Sequence, residues 1–253
     1  MPNTIQPEHT LMQRHPAAYP LPSKLRHTYV VMRHGFSKPN ERGRICSTMV
    51  EGVQPENGLT EMGRNQSYAS SSRLAQYVEA HLSGLNKANS EDVVVVSSPF
   101  ARARETAEIV CEVLAQNDVV ARSLRTTKPR IAEELRERHF GEMDGKSDDK
   151  YVLVWKKDIE HGDAQEEYRA ESCLKVWQRV YRLVMSLEER LRKPSLVILV
   201  AHGDTLQITQ TGFDSGCSLS GHRLRSLVQA EWRVLTANPD SYPVIGRQQR
   251  SNL

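Results

Sequence analysis

The sequence predicts an α/β protein, a three-layer sandwich in which a mostly parallel central sheet is flanked by helices. Three observations lead there. Short apolar runs at Tyr29 to Met32, Val93 to Ser97 and Leu196 to Ala201 have the length of buried strands, and Glu231 to Leu235 is a less apolar fourth candidate. Longer segments between them repeat apolar residues at helical spacing. Each of the first three runs is also followed by small or polar residues, as strands are where they leave a sheet.

In chain order, the first strand runs into Arg33-His34-Gly35, and Leu59 to Leu82 then puts Leu74, Tyr77, Val78 and Leu82 on one helical face. The second strand runs into Ser98-Pro99 and a helix from Phe100 to Leu114, with Ala107, Val110 and Leu114 facing inward and Arg102 in its first turn. Glu171 to Leu191 is a third amphipathic helix, carrying Leu174, Trp177, Val180, Tyr181, Val184 and Leu187. The third strand meets His202-Gly203-Asp204 and the helical run Thr205-Leu206-Gln207-Ile208, for which Asp204 is the expected N-cap. Lys146 to Tyr168 is the least legible stretch and is expected to line the outer part of a pocket. No repeat or second linker appears, so residues 1–26 are read as an irregular extension and 27–253 as one domain.

Composition narrows the possibilities. The chain has 253 residues, with 34 Lys+Arg against 31 Asp+Glu and a formal charge of +3. No block of like charges favours a nucleic-acid or membrane-surface partner, and no apolar run approaches the roughly 18 residues of a membrane helix. Cys46, Cys111, Cys173 and Cys217 are widely spaced, which suits reduced thiols in a cytoplasmic protein better than disulfides or a metal knot. The early prolines, Pro2, Pro7, Pro16, Pro20 and Pro22, interrupt a segment without a signal-peptide core. The terminal Ser251-Asn252-Leu253 is close to a peroxisomal address but lacks its basic middle residue.

If the strands are parallel neighbours, their carboxyl ends gather His34, His202 and several arginines at one edge, where open α/β sheets bind ligands. Arginine matches phosphate with a planar, permanently charged fork, and two histidines suit phosphoryl transfer. One neutral imidazole takes the phosphoryl group, and the second, protonated by the bound anion, stabilises its oxygens. No metal or other cofactor is then needed.

These motifs are together similar to the histidine phosphatase superfamily, in the branch of cofactor-dependent phosphoglycerate mutases and small phosphatases. The resemblance spans most of residues 29 to 235. It rests on Arg33-His34-Gly35 with Ser37 and Asn40, on Leu59-Thr60-Glu61-Met62-Gly63, and on Ser98-Pro99-Phe100-Ala101-Arg102-Ala103 followed by Glu105-Thr106-Ala107. Leu135-Arg136-Glu137-Arg138-His139-Phe140-Gly141-Glu142-Met143-Asp144-Gly145 and His202-Gly203 complete the order. It implies a phosphoglycerate mutase-like fold, His34 as phosphorylated nucleophile, Glu137 as proton donor and His202 as third catalytic group. Arg33, Arg102, Asn40 and Gly203 are implied to bind phosphate, and Ser37 and Arg138 to touch substrate, a small phosphorylated metabolite. Asn40 after Pro39 equally suits a turn. A homodimer stays open.

The chain also departs from the mutase pattern. Asp204 stands where mutases have Asn, Asp148 where they have a substrate lysine, and Phe140 where they have Tyr. The paired arginines and long insertion that hold an acid substrate are missing. The expected activity is therefore phosphomonoester hydrolysis, with mutase activity or a non-catalytic phospho-ligand module as alternatives. Cys173 and Cys217 precede Arg179 and Arg223 at the spacing of a cysteine phosphatase, but without its strand and glycine loop.

Overall fold

The computed structural model describes residues 19–85, 91–214 and 217–235. Five strands form one sheet: β1 Thr28–Arg33, β2 Asp92–Ser97, β3 Arg130–Ile131, β4 Ser195–Ala201 and β5 Trp232–Leu235. Their spatial order is β3-β2-β4-β1-β5, parallel except for β5, which runs antiparallel to β1. The helices are α1 Lys38–Glu41, α2 Met49–Gly52, α3 Glu61–Ser83, α4 Ala101–Ala115, α5 Asp118–Ala121, α6 Tyr151–His161, α7 Cys173–Arg190 and α8 Gly203–Phe213. All four expected strands form. β3 has only two residues, both exposed, too short to leave a periodic signal.

Side-chain alternation along the strands builds the three layers. Tyr29, Val31, Val94, Val96, Val197 and Leu199 face α7 and α8, packing with Val176, Trp177, Val180, Val184, Leu206 and Phe213. Val30, Met32, Val93, Val95, Ile198 and Val200 face α3 and α4, against Leu74, Val78, Ala107, Val110 and Leu114. The long helices begin where the sequence marks their starts. Thr60 accepts from Gly63 N at 3.0 Å to cap α3, and Ser172 accepts from Lys175 N at 3.3 Å to cap α7.

Asp204 is not the N-cap of α8. That position is His202, and Asp204 lies inside the first turn with its carboxylate turned to other partners. Beyond the sandwich, single-turn helices and α6 fold residues 133–171 over the carboxyl ends of the strands, around a small cluster of Ile45, Phe140, Met143, Val154 and Ala170. Gly141 permits this closure. Its φ is +53°, and a Cβ there would lie 2.1 Å from the Tyr168 carbonyl oxygen.

Among the described residues no helix is long and apolar enough to cross a membrane. Most of the Pro-rich extension and Ser251-Asn252-Leu253 lie outside those residues.

Candidate active site

β1 and β4 are direct neighbours, with Arg33 opposite Ala201, so their ends carry His34 and His202 side by side. The imidazole centroids are 5.2 Å apart at 62°. His34 is locked by both strands: its N–H donates to Ala201 O at 3.0 Å, and Gly35 N donates to Thr106 Oγ1 on α4 at 3.1 Å. Gly35 is required by crowding. A Cβ there would lie 2.3 Å from Gly63 O on α3.

Two contacts assign the His34 tautomer. Nδ1 donates to Gly35 O at 2.7 Å, and Arg102 Nε donates to Nε2 at 3.2 Å, so the lone pair is on Nε2. Burial, followed by Arg102 and Arg33, holds the His34 pKa well below its usual value, against the Gly35 bond, and the ring is neutral. Arg102 is buried and further held by Cys46 O at 2.9 Å and the Phe100 ring face at 5.1 Å. Arg104, one turn face away, pairs with Glu108 on the surface and takes no part.

His202 is fully buried, and its Nε2 meets Ser98 Oγ at 2.8 Å. That hydroxyl also accepts from Phe100 N and keeps both its proton and a second lone pair, so it can serve either tautomer of the ring; when its proton goes to Nε2, Nδ1 carries the imidazole hydrogen. Nδ1 and the Arg33 Nε are buried polar atoms without a protein partner. Burial, then Arg102, His34, Arg179 and Arg33, push the His202 pKa far down among the protein's own groups. An anion placed among these cations reverses that balance, which is how His202 would gain the proton expected of it. Arg33 is fixed by NH1 donating to Leu227 O at 2.7 Å, and a Cβ added at Gly203, the first residue of α8, would lie 3.6 Å from its guanidinium carbon. The α8 N-terminus thus adds its positive end to the same corner.

Glu137 enters from the loop after β3. Its Oε1 accepts from Arg138 N at 2.9 Å and from Thr205 N and Oγ1 at 3.2 Å each. Burial and then the neighbouring Asp204 raise its pKa, and together they outweigh Arg102 and the two amide bonds that oppose them. The carboxyl therefore holds a proton above the ordinary carboxylate range.

Ser37 and Asn40 cap α1. Asn40 Oδ1 accepts from Ser37 N at 3.2 Å and Ser37 Oγ at 2.8 Å, the turn role, which leaves the Asn40 amide nitrogen as a donor. Arg138 does not fit the expected substrate contact. It is fully buried, with NH1 and NH2 on Asp158 at 2.6 and 2.7 Å, Nε on Glu171 O at 2.7 Å, and NH1 also 3.3 Å from Asp204. Its guanidinium is a structural hub.

Several groups were not found from sequence. Tyr151 on α6 interacts electrostatically with Glu137, Arg102, Asp204 and Arg33, and burial and then Glu137 raise its pKa. It stacks on Trp155 at 5.3 Å, and Arg223 covers Trp155 at 3.5 Å. Thr106 and Thr205 hydrogen-bond the catalytic loops. Only the family motif hinted at Thr106, Thr205 appeared only as part of the helical run after His202-Gly203-Asp204, and no motif adjoins Tyr151.

The cysteines are not placed as nucleophiles. Cys173 is buried in α7 with its pKa raised well above the usual value by burial, Cys217 is raised by burial and Asp214, and Arg179 is committed to Glu171. Asp158, Cys173 and His222 bring ligand-type atoms within 4.8 Å of one another, but both Asp158 oxygens already serve Arg138.

The architecture and this two-histidine, arginine-lined pocket define an α/β phosphoryl-transfer class. The family model of the histidine phosphatase superfamily (branch 1) matches residues 29–247, and the chain belongs to that family. A 2,3-bisphosphoglycerate-dependent phosphoglycerate mutase of Bartonella bacilliformis is 24% identical over 191 residues, covering 72% of this chain and 79% of the relative. A solved mycobacterial glucosyl-3-phosphoglycerate phosphatase with VO3 is 23% identical with a TM-score of 0.58, covering 83% of this chain and 92% of its own. A mycobacterial hydrolase 1 structure is 21% identical with a TM-score of 0.59, covering 82% and 88%. The two structures establish the shared fold.

Proposed function

We propose that the protein is a phosphomonoester hydrolase that passes the phosphoryl group of a small phosphorylated metabolite through His34 to water. The observation that carries this reading is the His34 ring, neutral and with its Nε2 lone pair held toward Arg102. In the first half-reaction Nε2 attacks phosphorus as the ester P–O bond breaks, and Glu137 gives its proton to the departing oxygen. Arg33, Arg102 and His202 Nδ1–H face the equatorial oxygens, where a loose transition state spreads its charge. In the second, the Glu137 carboxylate takes a proton from water, whose oxygen attacks phosphorus as the P–N bond breaks. Atoms and charge balance without a metal, and a chelator should leave the rate unchanged.

Water as acceptor is supported by the charges around the mouth. Asp148 and Lys146 are exposed, Lys150 pairs with Asp149, and Lys156 and Lys157 both pair with Glu160. Arg138 is closed off by Asp158. Lys150, Lys156, Lys157 and Arg138 already pair with carboxylates, so none of these four is a free clamp for a phosphoglycerate carboxylate, which a mutase needs to retain its intermediate. The mutase relative makes isomerisation the alternative reading.

Brief reaction with labelled substrate and quenching should trap an acid-labile, base-stable adduct that His34→Ala abolishes. Supplying 3-phosphoglycerate with catalytic bisphosphoglycerate decides the acceptor. Free phosphate should outrun 2-phosphoglycerate, and the reverse order would make the protein a mutase.

A further inference from the structure

We infer that Asp204 is a positioning residue for the proton donor: it ties the Glu137 loop to the first turn of α8 and sets a fixed negative charge beside Glu137, so that Glu137 keeps the proton it must hand on. The inference rests on Glu137 being the acid of the proposed hydrolysis.

The geometry makes a closed loop of contacts. Thr205, the residue after Asp204, holds Glu137 Oε1 through both N and Oγ1, while Arg138, the residue after Glu137, reaches Asp204 Oδ2 at 3.3 Å. Asp204 is 3% exposed and held in its charged form from several elements. Trp155 Nε1 on α6 donates to its two oxygens at 3.1 and 2.9 Å, His222 Nε2 lies 3.5 Å away, and Arg223 NH1 lies 3.7 Å away. Burial alone would favour the neutral acid, but His222, Arg138 and Arg223 outweigh it and hold its pKa below the ordinary range. Asp204 is therefore a poor donor and a good fixed charge. The groups facing Glu137 are the cations Arg102 on α4, Arg33 on β1 and Arg179 on α7, with Tyr151 on α6 and Asp204 on α8. Asp204 is the one ionised acid among them, and it offsets the arginines that would otherwise strip the proton from Glu137.

The test is Asp204→Asn, which keeps an acceptor for Trp155 and removes the charge, assayed on an alkyl and an aryl phosphate across pH. On the alkyl ester, kcat/KM falls as pH rises through the Glu137 pKa, and the variant should move that limb to lower pH. At pH above the limb its rate should drop roughly threefold to tenfold relative to wild type, with a ratio near one below it. The aryl ester should show a flat ratio, and the substrate's own ionisation cancels between the two enzymes. In a Glu137→Gln background Asp204→Asn should add nothing. A pH-independent loss, or an equal loss in that background, makes Asp204 merely structural and overturns the inference. Equal losses of Glu137→Gln on both esters would instead overturn Glu137 as the acid. The wild-type enzyme provides a test independent of variants at 204. The Glu137 carbonyl stretch, assigned by its loss in Glu137→Gln, must persist above the ordinary carboxylate range, and its disappearance within that range overturns the inference.

Discussion

The sandwich and the cap over it are held together by opposite kinds of force. In the sandwich, two apolar layers flank β1, β2 and β4, and stability comes from non-directional burial. In the cap, residues 133–171 have one small apolar cluster and are organised around Arg138, whose guanidinium joins Asp158, Asp204 and the Glu171 carbonyl without exposure to water. Burial of hydrocarbon tolerates many sequences of similar volume, whereas a buried ion pair is stabilising only while every partner is present. The histidines proposed to bind phosphate belong to the first region and the proposed proton donor to the second, so the fold and the proposed chemistry meet at their seam.

Breaking the ion cluster is expected to have the largest effect on stability. Arg138→Met should cost about 3–5 kcal/mol in urea unfolding, because it strands the Asp158 carboxylate in the interior. A loss below about 1 kcal/mol would mean that Asp158 finds water and that the cap is not organised this way. Leu199→Ala, in the middle of β4, should cost about 2–5 kcal/mol by opening a cavity against α7 and α8. The folded fraction of that variant should retain wild-type kcat/KM, whereas the Arg138 variant should lose activity as well, because losing the guanidinium's bonds to Asp158, Asp204 and Glu171 O releases the loop whose backbone amide holds Glu137.

A change of pH separates the two regions without a mutation. His34 and His202 have depressed pKa values in the fold, so the unfolded chain binds more protons below its own histidine pKa near 6.5. Their contribution is complete above that pH and is lost as pH falls below it. A fall in Tm of roughly 5–10 °C between pH 7.5 and 5.5 is expected, because each of the two histidines loses about 1.4 kcal/mol over the unit below 6.5 and about 1 kcal/mol shifts a chain of this size by 2–4 °C. Inorganic phosphate should restore part of it. Glu137 has the opposite sign: with its pKa raised, its contribution is lost as pH rises through the folded value, so Glu137→Gln should gain relative stability on the alkaline side. An unchanged Tm across both windows would contradict the buried, neutral pocket. The smallest effect is expected far from both regions: Asn117→Ala, which removes the cap accepting from Val119 N and Val120 N at 3.1 Å, should cost about 1 kcal/mol and leave activity intact.

The sequence by itself determined the sandwich and picked out the candidate reacting groups. Strand and helix periodicity is a local property, and Arg33-His34-Gly35, Arg102, Glu137 and His202-Gly203 sit at element ends that such periodicity locates. β3 escaped because two exposed residues have no period, and Tyr151 and Trp155 were covered only by the expectation that residues 146–168 line the outer pocket, because nothing near them in the chain announces which side chains of α6 face it. Only the tertiary structure decided the fate of the charges. Arg138 was expected to touch substrate and Asp204 to cap α8, yet each is neutralised by residues far away in sequence. The physical reason is that a side chain's apolar character is fixed by its own atoms, while the proton affinity and availability of a polar group depend on which partners and how much water the fold leaves beside it.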